Sequence, residues 1–368
     1  MLSLRNVISM SCIGVVSRTT CKTVNYCTST FQPKQKRKPL KILINTMRPQ
    51  VFLTRSDFPT TGSDLLRNEC DIEEWHQAAV IPREELLKGI AGKDALFCTL
   101  TDRIDAEVIE RAGPNLKVIA TMSVGYEHID LVACKKRGIR VGYTPDVLTD
   151  AVADLTIGLL LATSRRMIEG AREAQNGHWK SWAPLYMCGP AIKNSTVGIV
   201  GFGRIGQEVA RRLIPFKPKK LLYSNRSDSR EQAAKEIGVE RCTFDQLLAT
   251  SDFVILLCTL TPETTHLINA KTLSQMKRTA ILINCARGQC IEQNDLYEAL
   301  RTNVIKAAGI DVTTPEPLPV DNPLFSLKNC VILPHIGSAE NETRTEMSRI
   351  TALNIIGALK NTEMVYEL

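Results

Sequence analysis

The sequence predicts a parallel α/β protein of two domains, and three observations carry that expectation. At 368 residues the chain suits two domains better than one. From residue 50 onward, short apolar runs alternate with helix-like segments, the pattern of strands joined by helical crossovers. One glycine-rich turn, Gly201-Phe202-Gly203-Arg204-Ile205-Gly206, directly follows such a run and opens a helix. Hydrophobic content of 44% with 23% charged residues is ample for a globular core.

Taken in order, "VFLTR" (51–55), "ALFCTL" (95–100), "VIATM" (118–122) and "RVGY" (140–143) read as strands, with helix-like stretches around 61–70, 83–90, 105–112 and 129–137 between them. The segment 148–177 reads as one long helix, with a start signal at Thr149 and Asp150 and a glycine near its end. Its first half is apolar nearly all round, so it is expected to be buried between domains or subunits. A second alternating series follows: "TVGIVG" (196–201), "LLYSN" (221–225), "FVILLCT" (253–259), "AILINCA" (280–286), "AAGIDV" (307–312) and "CVILP" (330–334). From Ser338, read as a helix cap, the chain looks helical again, with Met347, Ile350, Ile356 and Leu359 on one face.

The net charge of +7 suggests a nucleic-acid partner until its distribution is examined. Residues 1–48 hold nine Lys or Arg and no acid, so removing them from the +7 leaves −2 for the rest. The body is therefore near neutral and lacks a phosphate-tracking surface. The Ser/Thr-rich, acid-free, basic leader has the composition of a mitochondrial transit peptide, which points to the matrix, with a cytoplasmic location as the alternative. The apolar run 7–16 would be the core of a secretory signal, but Ser9, Ser11 and Gly14 dilute it. The run 34–38, KQKRK, reads as a solvated linker rather than a nuclear signal. No run approaches the length of a membrane span. Of the twelve cysteines, nine lie beyond the leader, scattered and without a CxxC pair; they read as reduced, partly buried thiols, not as a zinc or disulfide framework.

The glycine turn carries the first chemistry. Gly201 permits a tight turn, Gly203 lets backbone approach a pyrophosphate, and Gly206 lets helix and strand pack closely, with Arg204 and Ile205 between them at the helix start. At the end of the next strand, where a carboxylate would grip a ribose 2′-hydroxyl, stand Ser224, Asn225, Arg226 and Ser227. A hydroxyl and a guanidinium favour a 2′-phosphate, so the expected cofactor is NADPH, with NADH possible; Asp228 counts against this if it folds back.

Three polar residues follow later strands, where open parallel sheets bind ligands: Arg287, Glu316 and His335. Reducing a ketone needs a proton for the oxygen. Imidazole titrates near neutrality, a carboxylate such as Glu316 would orient it, and Arg287 would grip a substrate carboxylate through its planar donor fork. Singly, each has a plainer reading: a solvated turn for Arg287, loop polarity for Glu316, a helix cap for His335. Their joint placement beside a dinucleotide turn favours the catalytic reading.

The stretches "VGIVGFGRIG", "NCARGQCIEQNDLYEAL", "AAGIDVTTPEPLP" and "VILPHIGSA", in order over roughly 50–368, resemble the D-isomer-specific 2-hydroxyacid dehydrogenase family. "TMSVGYEHIDL", "KKRGIRVGYTPDVLTDAVADL", "NGHWKSWAPLYMCG" and "LKNCVILPHIGSA" are similar to its glyoxylate/hydroxypyruvate reductase branch. The resemblance implies a Rossmann-like cofactor domain (149–336) inserted into a smaller flavodoxin-like substrate domain (49–148 and 337–368), with 148–177 in a dimer arm. It implies Arg287, Glu316 and His335 as the catalytic trio and the backbone of Val124 and Gly125 as the substrate-carboxylate loop. Thr259, Cys285 and Asp311 would line the nicotinamide, with Gly337 leaving room beside His335, and Trp182 would enter the partner's site in a homodimer. The implied reaction is NADPH-preferring reduction of glyoxylate to glycolate and of hydroxypyruvate to D-glycerate. Alternatives are a dehydrogenase for another D-2-hydroxy acid and a non-catalytic, cofactor-sensing corepressor on the same fold. Two departures, Glu127 where the family usually has Asp and Glu340 where Thr or a small residue is common, are expected to leave the trio untouched.

Overall fold

The computed structural model describes residues 48–368 except 228 and 229. The leader expectations, the 41–47 segment and Asp228 lie outside the described residues.

The first half builds β1 (Gln50–Leu53), α1 (Thr60–Glu69), β2 (Asp71–Glu74), α2 (Arg83–Gly89), β3 (Ala95–Cys98), α3 (Ala106–Ala112), β4 (Val118–Thr121), α4 (Leu131–Lys136) and β5 (Arg140–Gly142). These strands pair in parallel in the order β2-β1-β3-β4-β5, the flavodoxin-like arrangement. Strands β3 and β4 are covered on both faces and so read as continuous apolar runs. Edge strand β2 alternates exposed and half-buried residues, Asp71-Ile72-Glu73-Glu74, and gives no such run, which hides it from the sequence pattern.

The second half runs through α5 (Thr149–Ser164), α6 (Met167–Gln175), β6 (Thr196–Val200), α7 (Arg204–Leu213), β7 (Lys220–Ser224), α8 (Glu231–Ile237), β8 (Glu240–Arg241), α9 (Phe244–Thr250), β9 (Phe253–Leu256), α10 (Ala270–Gln275), β10 (Ile281–Asn284), α11 (Gln293–Arg301), β11 (Ala307–Ile310), β12 (Cys330–Ile332) and α12 (Asn341–Leu359). All seven strands are parallel, in the order β12-β11-β10-β9-β6-β7-β8. Strand order reverses between β6 and β9, the switch point at which dinucleotides bind in such sheets. Helix α12 returns to the first sheet, where Met347, Ala352 and Ile355 join a core with Val51, Leu53 and Ala120. Among the described residues no helix is long and apolar enough to cross a membrane.

The single helix expected over 148–177 is two helices. The apolar pattern that buries Ile157, Leu159, Leu160 and Thr163 ends at Ser164, and the last turn tightens as Arg166 N–H bonds to the Thr163 carbonyl. Arg166 then adopts a left-handed φ of 53° and clamps Glu169 in α6, none of whose residues is buried. Of the two start signals, the one at Thr149 and Asp150 marks where α5 begins, with Asp150 in its first turn, and the one at Ser338 does not mark α12. Thr149 is the first helical residue and caps nothing, while α12 begins three residues after Ser338, with Glu340 at the N-cap and no side-chain cap. Ser338 contributes its carbonyl instead, accepting from Arg344 Nε at 3.0 Å. The nine described cysteines are free thiols; Cys70, Cys98, Cys134 and Cys290 are buried.

Helix α5 lies so close to β11 that a Cβ on Gly309 would meet Thr163 Oγ1 at 2.4 Å and Leu159 Cδ1 at 3.0 Å. Gly309→Val should therefore destabilise the fold by about 1–3 kcal/mol through overpacking, read as a lower midpoint in chemical denaturation; an unchanged midpoint would show that α5 is not packed this tightly.

Candidate active site

The glycine turn sits at the switch point, between the end of β6 and the start of α7. Gly201 has a φ of 95°, and a Cβ there would meet Cys258 N, just beyond β9, at 2.6 Å. Gly206 approaches the Gly201 carbonyl to 2.3 Å from where its Cβ would be, so helix and turn touch. A Cβ on Gly203, at the N-cap of α7, would meet nothing within 4 Å. Open space over Gly203 at the positive end of a ten-residue helix fits a dinucleotide pyrophosphate. Arg204 extends to Asp146 at 2.5 Å, whereas Ile205 turns inward and packs against the cores of both sheets. Half-buried Ser224 ends β7 and its carbonyl accepts from Gly201 N–H at 2.9 Å. Exposed Arg226 lies 3.6 Å from Glu263, and the Ser227 carbonyl accepts from Asn225. Thr259 is exposed just after β9. Cys285, after β10, bridges both cores, and burial pushes its thiol up to about 12, so it is a neutral wall at neutral pH.

Beyond β11 and β12 the chain makes a cleft of about 830 Å³, lined by Asp311, Thr313, Glu316 and His335 on one side and by Phe58, Leu100 and Met122 of the first sheet on the other. His335 has a left-handed φ of 53°, and its turn is held by one side chain: Asp311 Oδ1 and Oδ2 accept from Ile336 N–H and Gly337 N–H, each at 2.8 Å. The Asp311 carbonyl accepts from His335 N–H at 2.8 Å. His335 Nδ1 lies 2.8 Å from Glu316 Oε2, while Glu316 Oε1 accepts from Thr313 N–H at 3.0 Å. Burial pushes the Glu316 carboxyl up. The hydrogen bond and charge of His335, the Thr313 N–H and the Arg287 charge outweigh it, leaving Glu316 below its ordinary value.

Arg287 follows β10, and Gly288 beside it packs so tightly that a Cβ would meet the Thr313 carbonyl at 2.0 Å. The Arg287 loop thus rests on the Glu316 loop. The Arg287 side chain is not among the residues lining the His335 cleft and lies over Gly125: a Cβ on Gly125 would meet Nη2 at 1.8 Å. Neither Val124 N–H nor Gly125 N–H donates to any described group. Two free backbone donors beside a guanidinium nitrogen form a cradle suited to a carboxylate. Contrary to the expectation that the departure at 127 leaves the trio untouched, Glu127 Oε1 accepts from Arg287 Nε. The signal was present in the sequence, a carboxylate two residues past Gly125, but nothing in the spacing shows that two segments 160 residues apart meet there. Trp182 is 82% exposed in the segment after α6 and does not line the cleft of its own chain.

The comparisons with known proteins agree with this geometry. A family model described as the D-isomer specific 2-hydroxyacid dehydrogenase NAD binding domain matches residues 157–337. A human protein named glyoxylate reductase/hydroxypyruvate reductase is 49% identical over 328 residues, covering 88% of this chain and 99% of its own length. The chain belongs to the D-isomer-specific 2-hydroxyacid dehydrogenase family. Its fold is shared with a crystal structure of a Thermus thermophilus protein at a TM-score of 0.81 and 44% identity, covering 87% of this chain and 99% of the other. It is shared also with an NADPH-dependent glyoxylate/hydroxypyruvate reductase of Sinorhizobium meliloti, solved with NADP and malonate, at a TM-score of 0.74 and 28% identity, covering 87% and 97%. The matched NAD-binding model and the open glycine turn make this family member a nicotinamide-dinucleotide protein.

Because Glu316 is held below its ordinary value in the folded state, its ionised form stabilises the fold above the unfolded carboxyl's titration. That contribution is lost as pH falls through the folded value. Glu316→Gln should therefore lose less thermal stability than the parent between pH 6 and pH 3.5. A parallel acid-side decline in both proteins would contradict this.

Proposed function

We propose that this dehydrogenase reduces glyoxylate to glycolate and hydroxypyruvate to D-glycerate, with His335 as proton donor, NADPH as preferred cofactor and a homodimer as the working unit. The observation that carries the reading is the His335 Nδ1–Glu316 Oε2 contact at 2.8 Å in a cleft beyond the strand ends of a dinucleotide fold. With Nδ1 tied to the carboxylate, Nε2 is the nitrogen left to face a substrate oxygen. The Glu316 carboxylate orients the imidazole through Nδ1, and a proton on Nε2 passes to the carbonyl oxygen as that oxygen gains charge. The free N–H groups of Val124 and Gly125, with Arg287 Nη2 over them, would hold the carboxylate shared by 2-oxo acids. Gly201, Gly203 and Gly206 would hold the pyrophosphate of a reduced nicotinamide dinucleotide, with Thr259, Cys285, Asp311 and Gly337 lining its nicotinamide end, and the group would supply the hydride that the carbonyl carbon takes up.

The names of the human and Sinorhizobium relatives support the substrate pair. The hydroxyl of Ser224 at the end of β7 and the exposed guanidinium of Arg226, 3.6 Å from Glu263, support NADPH. The dimer is supported by apolar residues left in the open on and after α6: Met167, Trp179, Trp182 and Leu185 are each more than half exposed. On this reading Trp182 completes the partner's site. The basic, acid-free leader supports import into the mitochondrial matrix.

Steady-state turnover of glyoxylate, hydroxypyruvate and pyruvate with both cofactors tests the reading. The first two are expected to be reduced efficiently with NADPH. Preference for a bulkier 2-oxo acid would move the assignment within the family, and NADPH binding without turnover of any 2-oxo acid would indicate a sensing role. His335→Ala should lower turnover by about 10²–10⁴-fold while cofactor affinity stays within error; retained turnover would remove His335 as donor. Ser224→Asp places a carboxylate against a 2′-phosphate and should lower the NADPH-to-NADH ratio of kcat/KM by at least about tenfold, and an unchanged ratio would contradict the assignment of this loop.

A further inference from the structure

Arg287 has five N–H donors, and the fold spends them unevenly. Nε–H donates to Glu127 Oε1, and Nη1 donates to the carbonyl of Ala286 at 2.8 Å. Nη2 donates to no described group and lies over Gly125, whose missing side chain leaves the space that Nη2 shares with Glu127 Oε2. Two edges of the guanidinium are therefore fastened, one by a side chain and one by backbone. The third lies beside Gly125, whose N–H, like that of Val124, donates to no described group.

The loop that carries Glu127 is itself braced. Thr121 Oγ1 contacts Ser123 Oγ at 2.8 Å and His128 Nε2 at 3.0 Å, and Ser123 Oγ donates to the Gly125 carbonyl at 2.6 Å. His128, next to Glu127, is driven by burial down to about 4 and is neutral at neutral pH. The cationic partner of Glu127 is thus Arg287, not its chain neighbour. Burial pushes the Glu127 carboxyl up, but the charge and hydrogen bond of Arg287 bring it below its ordinary value, so the pair is an ion pair at neutral pH. It joins the loop after β4 to the loop after β10, one from each sheet.

We propose that Glu127 is a positioning residue: by occupying Nε it orients Arg287 so that Nη2 completes the carboxylate cradle of Val124 and Gly125. The proposal rests on the reading of that cradle as the substrate-carboxylate site. Without the carboxylate, only the Nη1 bond to the Ala286 carbonyl holds the guanidinium, which then pivots about that bond and takes Nη2 out of the cradle. The effect falls on binding of the 2-oxo acid and not on proton transfer, because Glu127 touches neither His335 nor Glu316.

Two measurements on the full chain test this. In the first, KM and kcat for glyoxylate are compared in Glu127→Gln and Glu127→Asp. The glutamine variant should raise KM by about ten- to a hundredfold, the range expected for a charge-assisted contact, with kcat and NADPH affinity nearly unchanged. The aspartate variant should recover most of that loss. An unchanged KM, or a loss shared equally by KM, kcat and cofactor affinity, would overturn the positioning role. In the second, independent of any turnover, the Arg287 Nε–H resonance is assigned by its absence in Arg287→Lys. It should exchange slowly with solvent in the parent and in Glu127→Asp, and rapidly in Glu127→Gln. Equal exchange in all three would overturn the proposal. Slow exchange with no turnover of glyoxylate by the parent would instead leave the positioning contact standing and reject the assigned reaction.

Discussion

The buried carboxylate of Asp311 is the constraint on which the His335 side of the site depends. It is 2% exposed, and burial pushes its titration up, against the pull of the Ile336 and Gly337 N–H groups that it accepts. Those two bonds, with its own carbonyl on His335 N–H, fasten the turn after β12 to the end of β11. A histidine at a left-handed φ is uncommon, and the turn persists because Asp311 accepts hydrogen bonds from both residues that follow. Given that turn, His335 Nδ1 meets Glu316, and Glu316 is held in turn by Thr313 N–H. Removing one buried acceptor would orphan two backbone donors, which is why a residue placed by resemblance along the cofactor also carries the geometry of the catalytic pair.

From that fixed pair the two sheets converge through a few close contacts. Ile205 and Cys285 each touch both cores, Arg204 reaches Asp146, and Arg287 reaches Glu127. Each contact joins the start of a helix or the end of a strand in the seven-stranded sheet to a loop of the other sheet. Parallel sheets place their loops at the same edge, so every one of these residues stands at a carboxyl end or just beyond it. The chemistry is concentrated where the backbone changes direction, and glycines at 125, 201 and 288 supply the room for close approach.

The central strands, the glycine turn and the meeting of His335 with Glu316 were legible because each has a local signature: a continuous apolar run, a fixed glycine spacing, a polar residue beyond the end of such a run. The remainder was not, for physical reasons that differ. Edge strand β2 and two-residue β8 are largely open to solvent and leave no apolar run. The break between α5 and α6 occurs without Gly or Pro, at Arg165 and Arg166, where helix propensity is good and only the end of the buried stripe marks it. Ser338 has a capping side chain, yet the helix starts later because Asp311 already holds the backbone on either side of residue 336. Glu127 escaped for another reason: its partner is 160 residues away, and a pairing of that kind is a property of the assembled sheets.

The cleft also bears on substrate range. At about 830 Å³ it is far larger than a two- or three-carbon acid, so shape alone selects poorly. On the proposed reading, attachment comes from His335 at the carbonyl and from the cradle of Val124 and Gly125 with Arg287, three residues that do not themselves line this cleft, and both are indifferent to what lies on the other side of the carbonyl. The rest of the wall includes Phe58, Leu100, Met122, Leu318 and Phe325, with Thr99, Thr101, Arg55, Asp57 and Arg344 among them. An apolar wall discriminates weakly against a small group bearing a hydroxyl, by about a hundredfold at most, because no buried polar partner is left unpaired when that group is absent. A hydrogen and a hydroxymethyl group are therefore both tolerated, and on the proposed reading this is why glyoxylate and hydroxypyruvate can share one site. Selectivity against larger acids then has to come from whatever narrows the cleft. On the proposed homodimer reading, the exposed Trp182 of a second subunit would be such a wall, since Trp182 does not line the cleft of its own chain.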